Sequence, residues 1–135
     1  MIYLGADHRG FKLKEEIKKI LKKFGNDFID MGNVVHDEND DYTDFAKPVA
    51  EKISANPNKD KGILICGSGV GVDITANKFK GVRSALADDK QTAIQSRAHD
   101  NTNVLSIPAD EVSAELAEEI ITAWLNTPFS NKEKY

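Results

Sequence analysis

The chain has 135 residues, a length that suits one domain spanning 1–135 and able to bury a core without disulfides or metals. Its formal charge of −4 argues against long-range steering of nucleic acid, and its apolar runs are far too short to span a bilayer. One cysteine, Cys66, excludes an internal disulfide and suits a reducing cytoplasm, and nothing after Met1 reads as a signal peptide.

The first element is the short apolar run "MIYLGA", which predicts a buried strand. Leu13, Ile17, Ile20, Leu21 and Phe24 then recur at three- and four-residue spacing and predict a helix that Gly25 ends. The lysines of "KLKEEIKKILKK" read as the wet face of that helix, not as a site for an anionic partner. "FIDMG" (28–32) reads as a second strand, and the polar residues 33–43 as a long loop. Phe45, Val49 and Ile53 mark a helix whose start is expected near Asp44, because Pro48 fits best in a first turn. "ANPNKDK" is a turn, "GILIC" the third and most apolar strand, and 70–79 a short helix. "GVRSALA" predicts strand four, 89–98 a helix, and "NVLSIPA" strand five. Leu116, Ile120, Ile121, Trp124 and Leu125 define the last helix, which Pro128 stops.

Five such βα units with non-alternating apolar strands predict an α/β domain with a parallel sheet covered on both faces. Ligands of such sheets bind beyond the carboxyl ends of the strands, which selects the loops at 6–10, 32–43, 66–72 and 87–90. The loop at 98–103 precedes strand five, so it would reach a site only from a helix end or from a partner subunit.

Three of these loops carry chemistry. In "CGSGVG" the alternate glycines let the backbone bend tightly and aim N–H groups at an anion or a developing oxyanion. The spacing departs from G-x-G-x-x-G, and no Gly-Lys-Ser/Thr follows, so a nucleotide is disfavoured. Cys66 opens this turn, where position alone leaves two readings open: a thiolate that takes a proton from carbon, or a small buried filler. No second cysteine lies nearby to make a redox pair. In "GADHRGF", Asp7 and His8 stand at a strand end, either to relay protons and bind phosphate, or to cap a helix with an incidental histidine. In "RAHDNTN", His99 lies at a helix end, where the negative end of the dipole favours a cation, while Asp100, Asn101 and Asn103 suit a turn. His36 reads as a surface residue, and "DENDD" (37–41) lacks the spacing and glycine of a calcium loop, so no metal is expected.

Together, "GADHRGFKLK", "DDYTDFA", "GILICGSGVGVDITANKFKGVRSAL", "HDNTNVL" and "AWLNTPFS" resemble the ribose-5-phosphate isomerase B family over nearly the whole chain. The resemblance implies a three-layer α/β/α Rossmann-like sandwich with a five-stranded parallel sheet. It also implies a homodimer or dimer of dimers with shared active sites, acting on a small-molecule sugar phosphate. No cofactor or metal is implied. The reaction implied is aldose–ketose isomerisation through a cis-enediolate after ring opening. The resemblance assigns Cys66 as the base; where some branches place a glutamate, this chain has Val72. Ser68 and the amides of Gly67, Gly69, Val70 and Gly71 match the groups that hold the enediolate, His99 the residue for ring opening, and Asp7 an assisting carboxylate. His8 matches a phosphate ligand and Tyr42 a residue lining the sugar pocket.

The chain departs from the family in three places. Asp100 follows His99 where the family has asparagine, Asp110 stands where the family has a phosphate-gripping arginine, and the basic tail is replaced by "NKEKY". Lys134 would stand in for one tail arginine as a point charge, and Arg9, where the family has a small residue, would partly cover for the arginine absent at 110. Two explanations fit: further basic residues lie beyond Tyr135, or the substrate is another sugar. The alternatives are therefore isomerisation of a hexose 6-phosphate or an unphosphorylated aldose, and a sugar-phosphate binding module without catalysis.

Overall fold

The computed structural model describes residues 1–32 and 41–131. The chain alternates strand and helix throughout: β1 (Ile2–Ala6), α1 (Phe11–Lys23), β2 (Phe28–Asp30), α2 (Tyr42–Ala55), β3 (Lys61–Cys66), α3 (Val70–Ala76), β4 (Ser84–Leu86), α4 (Lys90–Asp100), β5 (Val104–Pro108) and α5 (Ala114–Asn126). All strand pairings are parallel, in the order β2-β1-β3-β5-β4. The result is the three-layer α/β/α sandwich expected from the sequence.

The absence of polar alternation in the strands has a direct cause. Ile63 and Ile65 of β3 pack with Leu13 and Ile17 of α1 and Ile120 and Trp124 of α5, while Leu64 and Cys66 pack with Val49 and Ile53 of α2 and Val72 of α3. Both sheet faces are therefore interior, and each fully buried Leu or Ile contributes about 1.5–3 kcal/mol.

The chain leaves β1 by way of α1 to form β2 at one edge, then returns over the other face through α2 to form β3 on the far side of β1. The carboxyl ends of β1 and β3 thus part in opposite directions and open a crevice between them.

Two boundaries differ from expectation. Helix α2 begins at Tyr42, earlier than Asp44, because Asp41 and Asp44 form a reciprocal capping box. Pro48 consequently lies inside the helix, and the carbonyl of exposed Asp44, four residues earlier, loses its helical partner. Strand β4 is only three residues long, because Gly81 turns at φ +80° and Asn103 Oδ1 accepts the N–H of Arg83 before pairing starts.

One buried pair was not anticipated. Lys14 of α1 is wholly buried, and its Nζ donates to Asp30 Oδ1 at 2.9 Å and to the Gly32 carbonyl at 3.0 Å. Asp30 Oδ2 accepts from Lys18 at 3.0 Å. Burial opposes the charge on Lys18, but Asp30 and Glu15 outweigh it and hold the ammonium above its ordinary range. These contacts tie α1 to the edge strand β2.

Candidate active site

The crevice between β1 and β3 gathers three segments. β3 runs directly into the turn Gly67–Gly69, which is pinned from the far side by the segment after β5: Ala109 N–H donates to the Cys66 carbonyl at 2.8 Å and Asp110 N–H to that of Gly67 at 3.0 Å. Gly69 closes the turn at φ +77°, a conformation that favours glycine, and a Cβ there would also stand 2.4 Å from Leu86 Cδ1.

Cys66 is only 4% exposed and packs against the α2 and α3 layer, yet its sulfur is the acceptor of a directed hydrogen bond from Gly69 N–H at 3.1 Å. Such a bond strengthens when the acceptor is ionised. Ser68 is exposed, and its Oγ accepts the Val70 N–H at 3.2 Å. The ring of Tyr42, at the start of α2, lies over Gly71 so closely that a Cβ there would meet Cε2 at 2.8 Å.

The register pairs Ala6 with Ile65, so Asp7 and His8 leave β1 beside Cys66 and Gly67. Asp7 is buried, and its Oδ1 accepts N–H bonds from Arg9 at 3.0 Å and Gly10 at 3.1 Å. These bonds brace the turn that precedes α1; the N-cap of that helix is Gly10, with no side-chain cap, so Asp7 does not fill the N-cap position that the sequence suggested. Arg9 extends across the turn: a Cβ on Gly67 would stand 2.3 Å from its Cζ. Its Nη2 is ion-paired with Asp110 Oδ2, which joins the loop after β1 to the loop after β5 across the mouth of the crevice. Sequence reasoning named Arg9 and Asp110 separately; that they meet follows from β1 and β5 flanking β3, which single-chain spacing does not reveal.

His99 and Asp100 are not brought to this crevice. They end α4, at the sheet edge where β5 begins, and the four steps of β3 from Gly62, paired with Val104, to Cys66, paired with Pro108, amount to about 13 Å. The loop that follows is firmly built. Thr102 Oγ1 accepts Trp124 Nε1–H at 3.0 Å and lies 2.9 Å from Ser96 Oγ, while the Arg97 guanidinium donates to the Thr102 carbonyl. Lys134, His36 and residues 37–40 of the acidic loop lie outside the described residues.

Beside the crevice, in the first turn of α3, the Asp73 carboxyl is raised above its usual range by burial, an effect that the hydroxyls of Ser84 and Ser106 partly offset. Ser84 Oγ donates to Asp73 Oδ1 at 2.6 Å. Among the described residues no three His, Cys, Asp or Glu side chains gather as metal ligands, and no helix is long and apolar enough to cross a membrane. A cysteine acceptor, a glycine turn of N–H donors and a guanidinium at the rim can remove a proton from carbon, hold the oxyanion that forms, and anchor a second negative group nearby.

Comparison with known proteins agrees with this arrangement. Residues 2–135 match the family model described as Ribose/Galactose Isomerase. Ribose-5-phosphate isomerase B of Escherichia coli is 43% identical over 128 residues, covering 95% of this chain and 85% of that protein. The crystal structure of ribose-5-phosphate isomerase B from Mycoplasma genitalium with bound ribulose-5-phosphate superposes with a TM-score of 0.94 at 43% identity, covering 97% of this chain and 86% of the other. The corresponding enzyme of Thermotoga maritima gives a TM-score of 0.92 at 39% identity, covering 98% and 90%.

Proposed function

The chain belongs to the ribose/galactose isomerase family, and on that premise we propose that it interconverts ribose 5-phosphate and ribulose 5-phosphate. The observation that carries the reading is the directed Gly69 N–H bond to a buried thiol at the end of the central strand, inside a turn shaped to present N–H groups.

In the mechanism this geometry supports, the Cys66 thiolate takes the proton from C2 of the opened aldose. The electrons of that C–H bond form the C1–C2 double bond, and the aldehyde oxygen becomes an oxyanion. Ser68 and the backbone of Gly67, Gly69, Val70 and Gly71 form the cradle for that oxygen. Two of its donors are engaged at rest, Gly69 N–H on Cys66 and Val70 N–H on Ser68, and they turn to the oxyanion only by giving up those bonds. The C2 hydroxyl proton passes to the oxyanion on the C1 oxygen, and the proton held by Cys66 returns to C1 as the C2 oxygen becomes the carbonyl, which leaves the ketose. Tyr42 forms a wall for the sugar. Asp7, held by the N–H groups of Arg9 and Gly10, borders Cys66 and contacts the sugar hydroxyls, and His8 and Arg9 take the phosphate. Lys134 is proposed as a further cation for that phosphate.

His99 opens the ring only if it arrives from a second copy, because in its own chain it stands at the opposite sheet edge. The proposal therefore includes a homodimer with shared sites, in which Asp100 of the same loop lies near the sugar. Dimers of dimers are compatible with it.

The test is turnover of ribose 5-phosphate beside free ribose and allose 6-phosphate, repeated with Cys66→Ala. Turnover of ribose 5-phosphate that falls by at least about a thousandfold in Cys66→Ala, with binding retained, is the expected result. Turnover restricted to allose 6-phosphate or ribose would reassign the substrate. Unchanged activity in Cys66→Ala would remove the thiol from the mechanism.

A further inference from the structure

At the sheet edge opposite Cys66, where β3 and β5 begin, a cleft of about 190 Å³ is lined by Lys61, Arg83 and Arg97, with Asn58 and Asn103 on its walls. Among the described residues its two arginines are held by neutral groups alone. Arg97, nine-tenths buried, donates through Nε to the Thr127 carbonyl at 3.1 Å and through Nη1 to Asn101 Oδ1 at 3.1 Å and the Thr102 carbonyl. Arg83 donates to the carbonyls of Asn101 at 2.7 Å and Gly81 at 3.1 Å. Lys61 Nζ makes no hydrogen bond or ion pair with any described residue. Asp60, the one carboxylate lining the cleft, is 3.4 Å from the amino terminus of Met1.

Buried charge in a folded protein is ordinarily paired. Here one buried cation, Arg97, and two half-buried ones, Lys61 and Arg83, converge with no carboxylate paired to them among the described residues. The strain shows in the groups themselves: burial and the nearby Arg97 charge lower Lys61, and burial and the Arg83 charge lower Arg97. Asn58 lines the same cleft, and the Asn103 side chain, which donates to the carbonyls of Pro57 and Gly81 and accepts from Arg83 N–H, braces its wall.

We propose that this cleft is a binding site for a small oxyanion, with inorganic phosphate its simplest ligand, separate from the crevice at Cys66. Two guanidinium groups and an ammonium around one polar cavity match the several acceptor oxygens of a phosphate, and the carbonyl-anchored arginines are preorganised for it.

The experiment is a titration of the isotopically labelled full chain with inorganic phosphate, read at the backbone amides of Asn58, Lys61 and Asn103. The amides of Gly69 and Gly71 report the Cys66 crevice separately. Saturable shifts at the first set, absent with chloride at matched ionic strength, are expected. Lys61→Met keeps the aliphatic stem and weakens this affinity by about tenfold, the effect of losing one charge-assisted contact. Lys61→Glu supplies an internal counter-charge and abolishes the shifts while raising the phosphate-free Tm. Succinate in place of phosphate distinguishes a carboxylate ligand, and shifts with succinate alone would reject phosphate. The proposal is overturned if these amides stay still in phosphate, move equally in chloride, or titrate with the same affinity in a folded Lys61→Met chain. Should Lys61→Met not fold, Lys61→Gln carries the same comparison.

Discussion

Arg9 and Asp110 each look like an oddity in the sequence; together they make one unit. The guanidinium lies over Gly67 and is held by Asp110 from the far side, so it is aimed by a partner and not left to swing. Removing it is expected to raise KM for ribose 5-phosphate about tenfold, as for one lost charge-assisted contact, with kcat little changed, because the contact is the same in ground and transition states. An unchanged KM in Arg9→Ala would place phosphate recognition elsewhere. Asp73 gives a second residue-scale expectation. Burial raises its folded carboxyl above the unfolded value, so the folded state holds its proton more tightly. That contribution is fully present below about pH 4 and is lost as pH rises through the raised folded value. Asp73→Asn keeps an acceptor for Ser84 and removes the charge. Its Tm advantage over the parent should therefore grow from pH 4 to neutrality, and a constant difference would contradict the assignment. At this scale the positions of Cys66 and Asp7 were legible because strand ends mark them, whereas Ser68 entered only through the family resemblance. The Arg9–Asp110 pair and the cleft around Lys61 were not, since each joins residues whose nearness depends on strand order.

The elements themselves were mostly legible, for a physical reason: runs such as "GILIC" and stripes such as Leu13–Ile17–Leu21 are imposed by burial on two faces and one face respectively. What failed was the start of α2, where a capping box overrode the preference of Pro48 for a first turn. The contact of α1 with β2 was also hidden, because Lys14 and Lys18 sit in a segment whose other lysines face water. The burial of Lys14 makes a sharp expectation. Asp30→Ala strands a buried ammonium and should cost about 3–5 kcal/mol in denaturant unfolding, whereas Lys14→Met replaces it by an apolar chain of similar volume and should cost less than about 1.5 kcal/mol. Equal losses would mean that the pair acts only by its mutual attraction.

For the whole molecule, the decisive fact is the distance between the thiol and His99. If the two act on one sugar from different chains, Cys66→Ala and His99→Ala are each inactive alone. Mixed after joint refolding, half of the dimers pair the two variants, and one site in each such dimer is intact. Activity should return to about a quarter of the parent value. No recovery would show that the two residues do not share a site across chains. Sequence could say that the 98–103 loop stands on the wrong side of strand five, but not what meets it there. The same architecture has a consequence for the growing chain. The turn at Gly67 is emitted early, yet its carbonyl and that of Cys66 are pinned only by Asp110 and Ala109, some forty residues later. A ribosome-bound chain that has reached α4 holds the thiol, the glycines and Asp7, but not the segment that pins the turn. The geometry of the Cys66 turn is thus complete only once the segment after β5 has been made.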